Sequence, residues 1–185
     1  MPDDLKKATK EKMEKTVEHF KKEMNKIRTG RASASILEDI KVDYYGSTMP
    51  ITQIATVTVP EPRTIIIQPW DAAGIAAIEK AIMKSELGIT PSNDGKVIRL
   101  NIPPLNEERR KEIIKFAKKI AEENKVAIRN ERRDAIEKVK AGEKTKQYSE
   151  DDAKKLQKEI QDLTDSYIKR IDEILALKEK EVMEV

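Results

Sequence analysis

The chain predicts an α+β protein of two domains: an elongated antiparallel three-helix bundle carrying an inserted small β/α/β domain. Three observations lead there. Of 185 residues, 38% are charged, mean hydropathy is −0.67 and only seven side chains are aromatic, which suits a thin core spread along amphipathic elements. Seven of the eight prolines fall between Pro50 and Pro104, and four of the six glycines between Gly46 and Gly95, so both ends are nearly free of breakers. The ends repeat apolar residues at helical spacing, whereas the middle offers short β-branched runs.

Charge divides the chain in the same place. Residues 31–103 hold 7 basic and 8 acidic side chains, leaving 30 and 26 for the flanks, a net charge of −1 inside and +4 outside. The expected organisation is a bundle of residues 1–30 and 104–185 interrupted by a small domain of residues 31–103.

The first flank carries Met13, Val17, Phe20, Met24 and Ile27 in a heptad-like stripe, and Thr29-Gly30 is expected to end that helix with a left-handed glycine. After Pro103-Pro104, Asn106 is a candidate N-cap, with Glu107 and Glu108 placed to favour the positive end of the helix dipole. The second long helix then shows Ile113, Ala117, Ile120, Asn124, Ala127, Glu131 and Ala135, widened by Ile128, Ile136 and Val139. Asn124 and Glu131 are polar on or beside this seam, which implies loose packing or a position at its rim. Residues 141–148, with Gly142, read as the turn. Ser149 caps the third helix, Asp152 completes a capping box, and Leu156, Ile160, Leu163, Tyr167, Ile171 and Ile174 continue the seam. A single narrow stripe cannot hold any of these helices alone, so they must pack together.

In the middle, residues 36–44, 54–59, 63–68 and 97–102 are the expected strands. Pro60-Glu61-Pro62 and Asn93-Asp94-Gly95 read as turns, and Asp71 caps a helix bearing Ile75, Ile78 and Ile82 that stops near Gly88. Two connections, Gly30 to Ser33 and Ile102 to Leu105, join this domain to the bundle. Two short segments side by side would act as a hinge, with Gly30, Arg31, Ala32, Ser33, Pro103 and Pro104 as its residues.

Composition removes many functions. The absence of cysteine excludes disulfides, thiolate metal sites and cysteine nucleophiles, and a single histidine, His19, leaves no imidazole set for a metal. No Ser or Asp constellation surrounds His19, which reads as a surface residue. The carboxylates lie beside lysines at helical spacing, as solvated ion pairs. Gly88 to Lys96 and Gly142 to Thr145 both miss the spacing or context of a phosphate loop. No catalytic residue, metal, cofactor or small-molecule substrate is expected. The start lacks the apolar stretch of a signal peptide, and the longest charge-free run, Tyr44 to Pro60, is broken by Gly46 and Pro50, so no membrane partner is expected either.

The arginines say more. Arg28 and Arg31 bracket the end of the first helix, Arg109 and Arg110 open the second, and Arg129, Arg132 and Arg133 form an i, i+3, i+4 set on it. Guanidinium groups bind phosphates bidentately and stack on bases. Two readings stay open: a solvated face with intrahelical ion pairs, or a phosphate-binding face. There is no aromatic RNA-recognition sheet, KH loop or zinc finger, so any RNA binding would work through shape and phosphate contact.

Four blocks in this order resemble the ribosome recycling factor family: Lys26-Ile27-Arg28-Thr29-Gly30-Arg31-Ala32-Ser33, then Pro103-Pro104-Leu105 running into Glu107-Glu108-Arg109-Arg110. Arg129-Asn130-Glu131-Arg132-Arg133-Asp134-Ala135 is the third, and Ser149-Glu150-Asp151-Asp152 with the last helix the fourth. The resemblance covers essentially the whole chain, with one departure, Glu131, where the family usually has an aliphatic residue. It implies a long three-helix bundle and a small β/α/β domain in an L that resembles tRNA in outline. It implies a cytoplasmic, monomeric, non-catalytic factor that binds the large ribosomal subunit after termination. With elongation factor G and that partner's GTP hydrolysis, the factor would split the ribosome into subunits. By the same resemblance Arg132 and Arg129 would contact rRNA, with Arg133, Arg28, Arg31, Arg110 and Arg109 as neighbours. Arg132, expected to be exposed, should be replaceable by Gly without unfolding. A chaperone gripping clients at a helix tip is a weaker reading, because residues 141–148 are polar and lysine-bearing.

Overall fold

The computed structural model describes residues 2–184. The chain divides into two compact units: the segment up to Ile27 with Glu108–Glu184, and Arg28–Glu107. The first holds the helices α1 (Pro2–Lys26), α3 (Glu107–Lys144) and α4 (Glu150–Met183); the second holds the helix α2 (Ala73–Lys84) and six strands.

Ion pairs fix the sense of the bundle. Lys6–Glu159 and Arg170–Glu14 join α1 to α4 running parallel, while Lys118–Glu179 and Lys125–Asp172 join α3 to α4 running antiparallel. Met13, Val17, Phe20 and Met24 of α1 pack with Ala117, Ile120, Ala121 and Ile128 of α3 and Tyr167 and Ile171 of α4. A second cluster gathers Ala135, Val139, Ala153, Leu156 and Ile160. Phe20 is fully buried, worth about 2–3 kcal/mol by transfer.

The seam differs from expectation at three places. Ile128, not Ala127, is the core residue after Asn124, because a four-residue step keeps the stripe aligned where a three-residue step would swing it off the seam. Asn124 is buried, and its side-chain amide donates to Ile120 O at 2.9 Å, so its polarity is satisfied within the seam. Helix α1 stops at Lys26, before Thr29-Gly30. Gly30 has φ +76° but serves a close approach: a Cβ there would stand 2.8 Å from Leu105 Cγ.

The turn between α3 and α4 is also shorter than expected. Helix α3 runs to Lys144 and takes in Gly142, where a Cβ would lie 2.3 Å from Tyr148 Cε2. This glycine admits the buried Tyr148 ring against the helix backbone and is not a loop residue. The capping box of α4 forms as expected, Asp152 N donating to Ser149 Oγ at 3.1 Å and Ser149 N to Asp152 Oδ2 at 3.4 Å.

In the second unit, strands β3 (Ala55–Glu61), β4 (Thr64–Pro69), β6 (Ile98–Asn101) and β5 (Ser92–Asn93) form a four-stranded sheet in the order β3-β4-β6-β5. Strands β1 (Lys41–Tyr44) and β2 (Ser47–Pro50) form a separate hairpin. The hairpin was not apparent as a pair, because Ile36 and Leu37 belong to a 3-10 turn, Ala34–Leu37, and β2 lacks an apolar alternation. Strand β3 runs through Pro60 to Glu61, leaving Pro62-Arg63 as the turn where Pro60-Glu61-Pro62 was expected. Ile65, Ile67, Ile98 and Leu100 line one sheet face and pack with Leu37, Val42, Ile51, Ile78 and Ile82. Asp71 supports the start of α2, its Oδ1 accepting from Ala73 N at 3.2 Å, and the helix ends at Lys84, short of Gly88.

Candidate nucleic-acid interface

With about 3.6 residues per turn, the buried stripe of α3 leaves an opposite face on which Lys111, Lys115, Lys118, Arg129, Arg133 and Lys140 recur. All six are exposed. The lysines of this row were not singled out from the sequence, although their recurrence at three- and four-residue steps was available there. Arg129 bonds Glu122 on the same face at 3.0 Å, and Lys118 reaches Glu179 at 3.8 Å; the basic side chains still outnumber these acids. Exposed pairs of this kind contribute about 0–1 kcal/mol and exchange readily for a phosphate partner.

The arginine triplet does not act as one face. Arg133 points outward with Arg129, but Arg132 flanks the seam and is half-buried. Its Nη1 donates to Gln161 Oε1 of α4 at 2.6 Å, and Gln161 Nε2 in turn donates to Asp165 Oδ1 at 2.9 Å. Arg132 is therefore part of the packing of α3 on α4, and the expectation that it is simply exposed is corrected. The remaining arginines stand apart. Arg109 pairs with Glu112 at 2.9 Å, and Arg110 is half-buried with its Nε meeting no acceptor among the described residues. Both lie about 30 Å along the helix from Arg129 at about 1.5 Å per residue. Arg28 and Arg31 are exposed in the second unit, where Arg28 Nη1 lies 3.5 Å from Leu87 O.

Glu131 turns away from the basic row. Its Oε1 accepts from Thr16 Oγ1 of α1 at 2.7 Å, its Oε2 is buried without a hydrogen-bond partner, and burial pushes its carboxyl above the ordinary carboxylate range. It therefore forms no ion pair with Arg129 or Arg133. On α1, Glu14 accepts from Arg170 Nη1 at 2.8 Å and Nη2 at 3.1 Å and from the Tyr167 hydroxyl at 2.8 Å. Those bonds lower its carboxyl to about 2, and burial beside that carboxylate pushes the Tyr167 phenol up to about 12.

The hinge residues of the sequence reading fall in the second unit. Ala32 N donates to Pro62 O at 2.6 Å, which fastens Ala32 to the small fold, whereas Ser33 Oγ accepts from Ser35 N at 3.3 Å in a local turn. His19 lies exposed beside Glu23. Among the described residues no three His, Asp or Glu side chains are grouped to hold a metal, and no helix is long and apolar enough to cross a membrane.

Fold and site together define a two-domain α+β protein whose long three-helix bundle presents a basic row along its second helix. The chain belongs to the ribosome recycling factor family, whose sequence profile matches residues 20–183. It is 60% identical over 173 residues, 94% of each chain, to the ribosome-recycling factor of Trichlorobacter lovleyi. It is 61% identical over 174 residues to that of Desulfotalea psychrophila, covering 94% of this chain and 95% of the other, and 57% identical over the whole of both chains to that of Pelobacter propionicus. A solution structure of the ribosome recycling factor matches 100% of this chain and 98% of its own with a TM-score of 0.78 at 45% identity. A second match, with a TM-score of 0.66 at 44% identity over 98% of both chains, is the T. thermophilus ribosome recycling factor. It is described with E. coli elongation factor G bound to the E. coli post-termination complex. Ribosome recycling, a step of translation, is the process in which this family acts, and its members are translation factors.

Proposed function

We propose that the bundle anchors this factor on large-subunit rRNA of the post-termination ribosome, in the cytoplasm and as a monomer. With elongation factor G and that partner's GTP hydrolysis, it promotes splitting into subunits. The observation that carries this reading is the exposed basic row from Lys111 to Lys140, with Glu131 turned to α1 and away from it. Cationic side chains repeated along a straight rod suit a phosphate backbone, where affinity comes from counterion release and needs no base reading. Arg129 and Arg133 are the outward guanidinium groups, Arg132 positions α3 on α4, and Arg109 and Arg110 on the bundle and Arg28 and Arg31 on the small unit would each make separate rRNA contacts. The factor contributes binding and movement, and the hydrolysed nucleotide belongs to its partner.

The same proposal gives residues 31–103 the mobile role. Ala32 is fastened to the small fold by its bond to Pro62, so rotation would be taken up at Gly30 and Arg31 on one connection and at Pro103 and Pro104 on the other. A push on the small domain would then turn it against an anchored bundle. Cosedimentation with purified large subunits across a salt series tests the anchor, and light scattering of whole ribosomes with and without elongation factor G and GTP tests splitting. Salt-insensitive binding, or binding to small subunits alone, would contradict the anchor.

A further inference from the structure

The small unit carries a groove that the basic row does not account for. It runs between α2 and residues 36–43, with a volume of about 720 Å³. Its floor is apolar: Ile36, Ala77 and Ala81 are half-buried there, and Ile40 and Leu87 are buried. The small side chains at positions 77 and 81 keep this floor open. Its rim is charged. Arg28, Lys41, Lys80 and Lys84 line it together with Asp39, Asp43 and Glu86, and none of the seven has an ion-pair partner among the described residues. One carboxylate is already engaged, Asp43 Oδ1 accepting from Thr48 Oγ1 at 3.2 Å across the β1–β2 hairpin.

Chain direction sets which charges face one another. Gly74, near the start of α2, stands against Tyr44, since a Cβ there would lie 3.7 Å from Tyr44 Cε2. The groove is lined by residues before Tyr44 on one wall and after Gly74 on the other, so β1 and α2 run antiparallel along it. From Tyr44 back to Lys41 the strand covers about 10 Å, and from Gly74 on to Lys80 the helix covers about 9 Å. Lys41 and Lys80 therefore come level on opposite walls, and Lys84 follows one helical turn further along. Arg28 stands at that end, its Nη1 3.5 Å from Leu87 O.

Two ammonium groups on facing walls, with no carboxylate paired to either, form a place for an anion. Floor and rim together decide its kind. A phosphate backbone has no apolar side to lay on the floor, and three carboxylates along the rim oppose a chain of like charge. A protein segment brings an aliphatic side chain and a carboxylate within a few residues of each other, and so matches an apolar centre inside a charged rim.

We propose that the groove between α2 and residues 36–43 is a docking site for a partner-protein segment in which an aliphatic side chain neighbours a carboxylate. The aliphatic group lies over Ala77 and Ala81, and the carboxylate sits between Lys41 and Lys80. Every lining residue belongs to the small unit, so the site does not depend on the rRNA anchor.

The probe is an acetylated, amidated hexapeptide of alternating glutamate and leucine, titrated into the isotope-labelled full-length protein and followed by amide NMR shifts at low and at physiological salt. Saturable shifts are expected at Lys41, Ala77, Lys80 and Ala81, weakening as salt rises. Lys80→Gln changes an exposed helix position and should weaken the peptide about threefold with a flatter salt dependence. Ala81→Leu fills the floor with every charge left in place and should abolish the groove shifts at both salt concentrations. Circular dichroism checks that each variant is folded. The proposal is overturned by the absence of saturable shifts, by shifts confined to the lysines and arginines of α3, or by affinity unchanged in either folded variant. An equal response to the lysine–leucine counterpart or to oligouridylate would overturn it as well.

Discussion

Arg132 and Arg133 are neighbours in sequence, and separating their roles tests the assignment of the basic row. Replacing Arg133 by Ala removes an exposed side chain, and surface changes of this kind alter stability by about 0.5 kcal/mol or less. Replacing Arg132 by Ala removes the 2.6 Å bond to Gln161. That bond joins a charged donor to a neutral acceptor at a half-buried position, so its loss should cost about 1–2 kcal/mol. Arg132→Gly would add about 1 kcal/mol for a glycine inside a helix and so confuse stability with binding. For binding, removing one phosphate contact should lower the slope of log affinity against log salt by about 0.7–0.9. Urea unfolding followed by circular dichroism gives the stabilities, and cosedimentation with large subunits at four or five salt concentrations gives the slope. The expected result is a stable Arg133→Ala protein that binds more weakly with a shallower slope, beside an Arg132→Ala protein that is measurably less stable. An Arg133→Ala variant with unchanged affinity and slope would refute the phosphate-contact assignment, and an Arg132→Ala variant as stable as the parent would refute its packing role.

Other substitutions test the bundle. Gly142→Ala should destabilise by about 1–3 kcal/mol despite alanine's better helix propensity, because the new methyl overpacks against the Tyr148 ring; in a Tyr148→Ala background the same change should become neutral or stabilising in urea melts. Two carboxylates should respond to pH in opposite senses. Glu14, held at about 2 against an ordinary 4.5, contributes stability that is complete above pH 4.5 and disappears as pH falls toward 2. Its side chain is 43% exposed, so Glu14→Gln should cost no more than about 1 kcal/mol at neutral pH and nothing near pH 2, read from denaturation midpoints. Glu131 is shifted upward from 4.5, so it gives up stability as pH rises above that value. Glu131→Gln keeps an acceptor for Thr16 and should raise the urea midpoint at pH 7, with the gain gone at pH 4.

Local signals made much of this fold legible. The capping box at Ser149 and Asp152, the stripe Met13-Val17-Phe20-Met24 and the turn at Asn93-Asp94-Gly95 each involve residues within a few positions of one another, where spacing alone fixes geometry. Errors arose where a contact joins distant segments. Gly30 faces Leu105 across 75 positions, and the Gln161 that claims Arg132 lies 29 positions away. The hairpin of β1 and β2 went unseen as a pair because pairing with a partner strand, not apolar alternation, holds β2.

For the candidate interface, the sequence by itself determined which residues are cationic, that they recur at helical spacing, and that chemistry by thiols or imidazole clusters is excluded. Side-chain type and helical period are local properties, so composition and spacing suffice for them. Only the tertiary structure decided which cations look outward. A helix has no outside until its neighbours pack. The placing of α1 and α4 against α3 turned Glu131 to Thr16 and Arg132 to Gln161, and left Arg129 and Arg133 facing solvent. The docking of α2 beside the β1–β2 hairpin likewise brought Tyr44 and Tyr45 to Asp71, a meeting across 26 positions that depends on how the small fold closes on its own core.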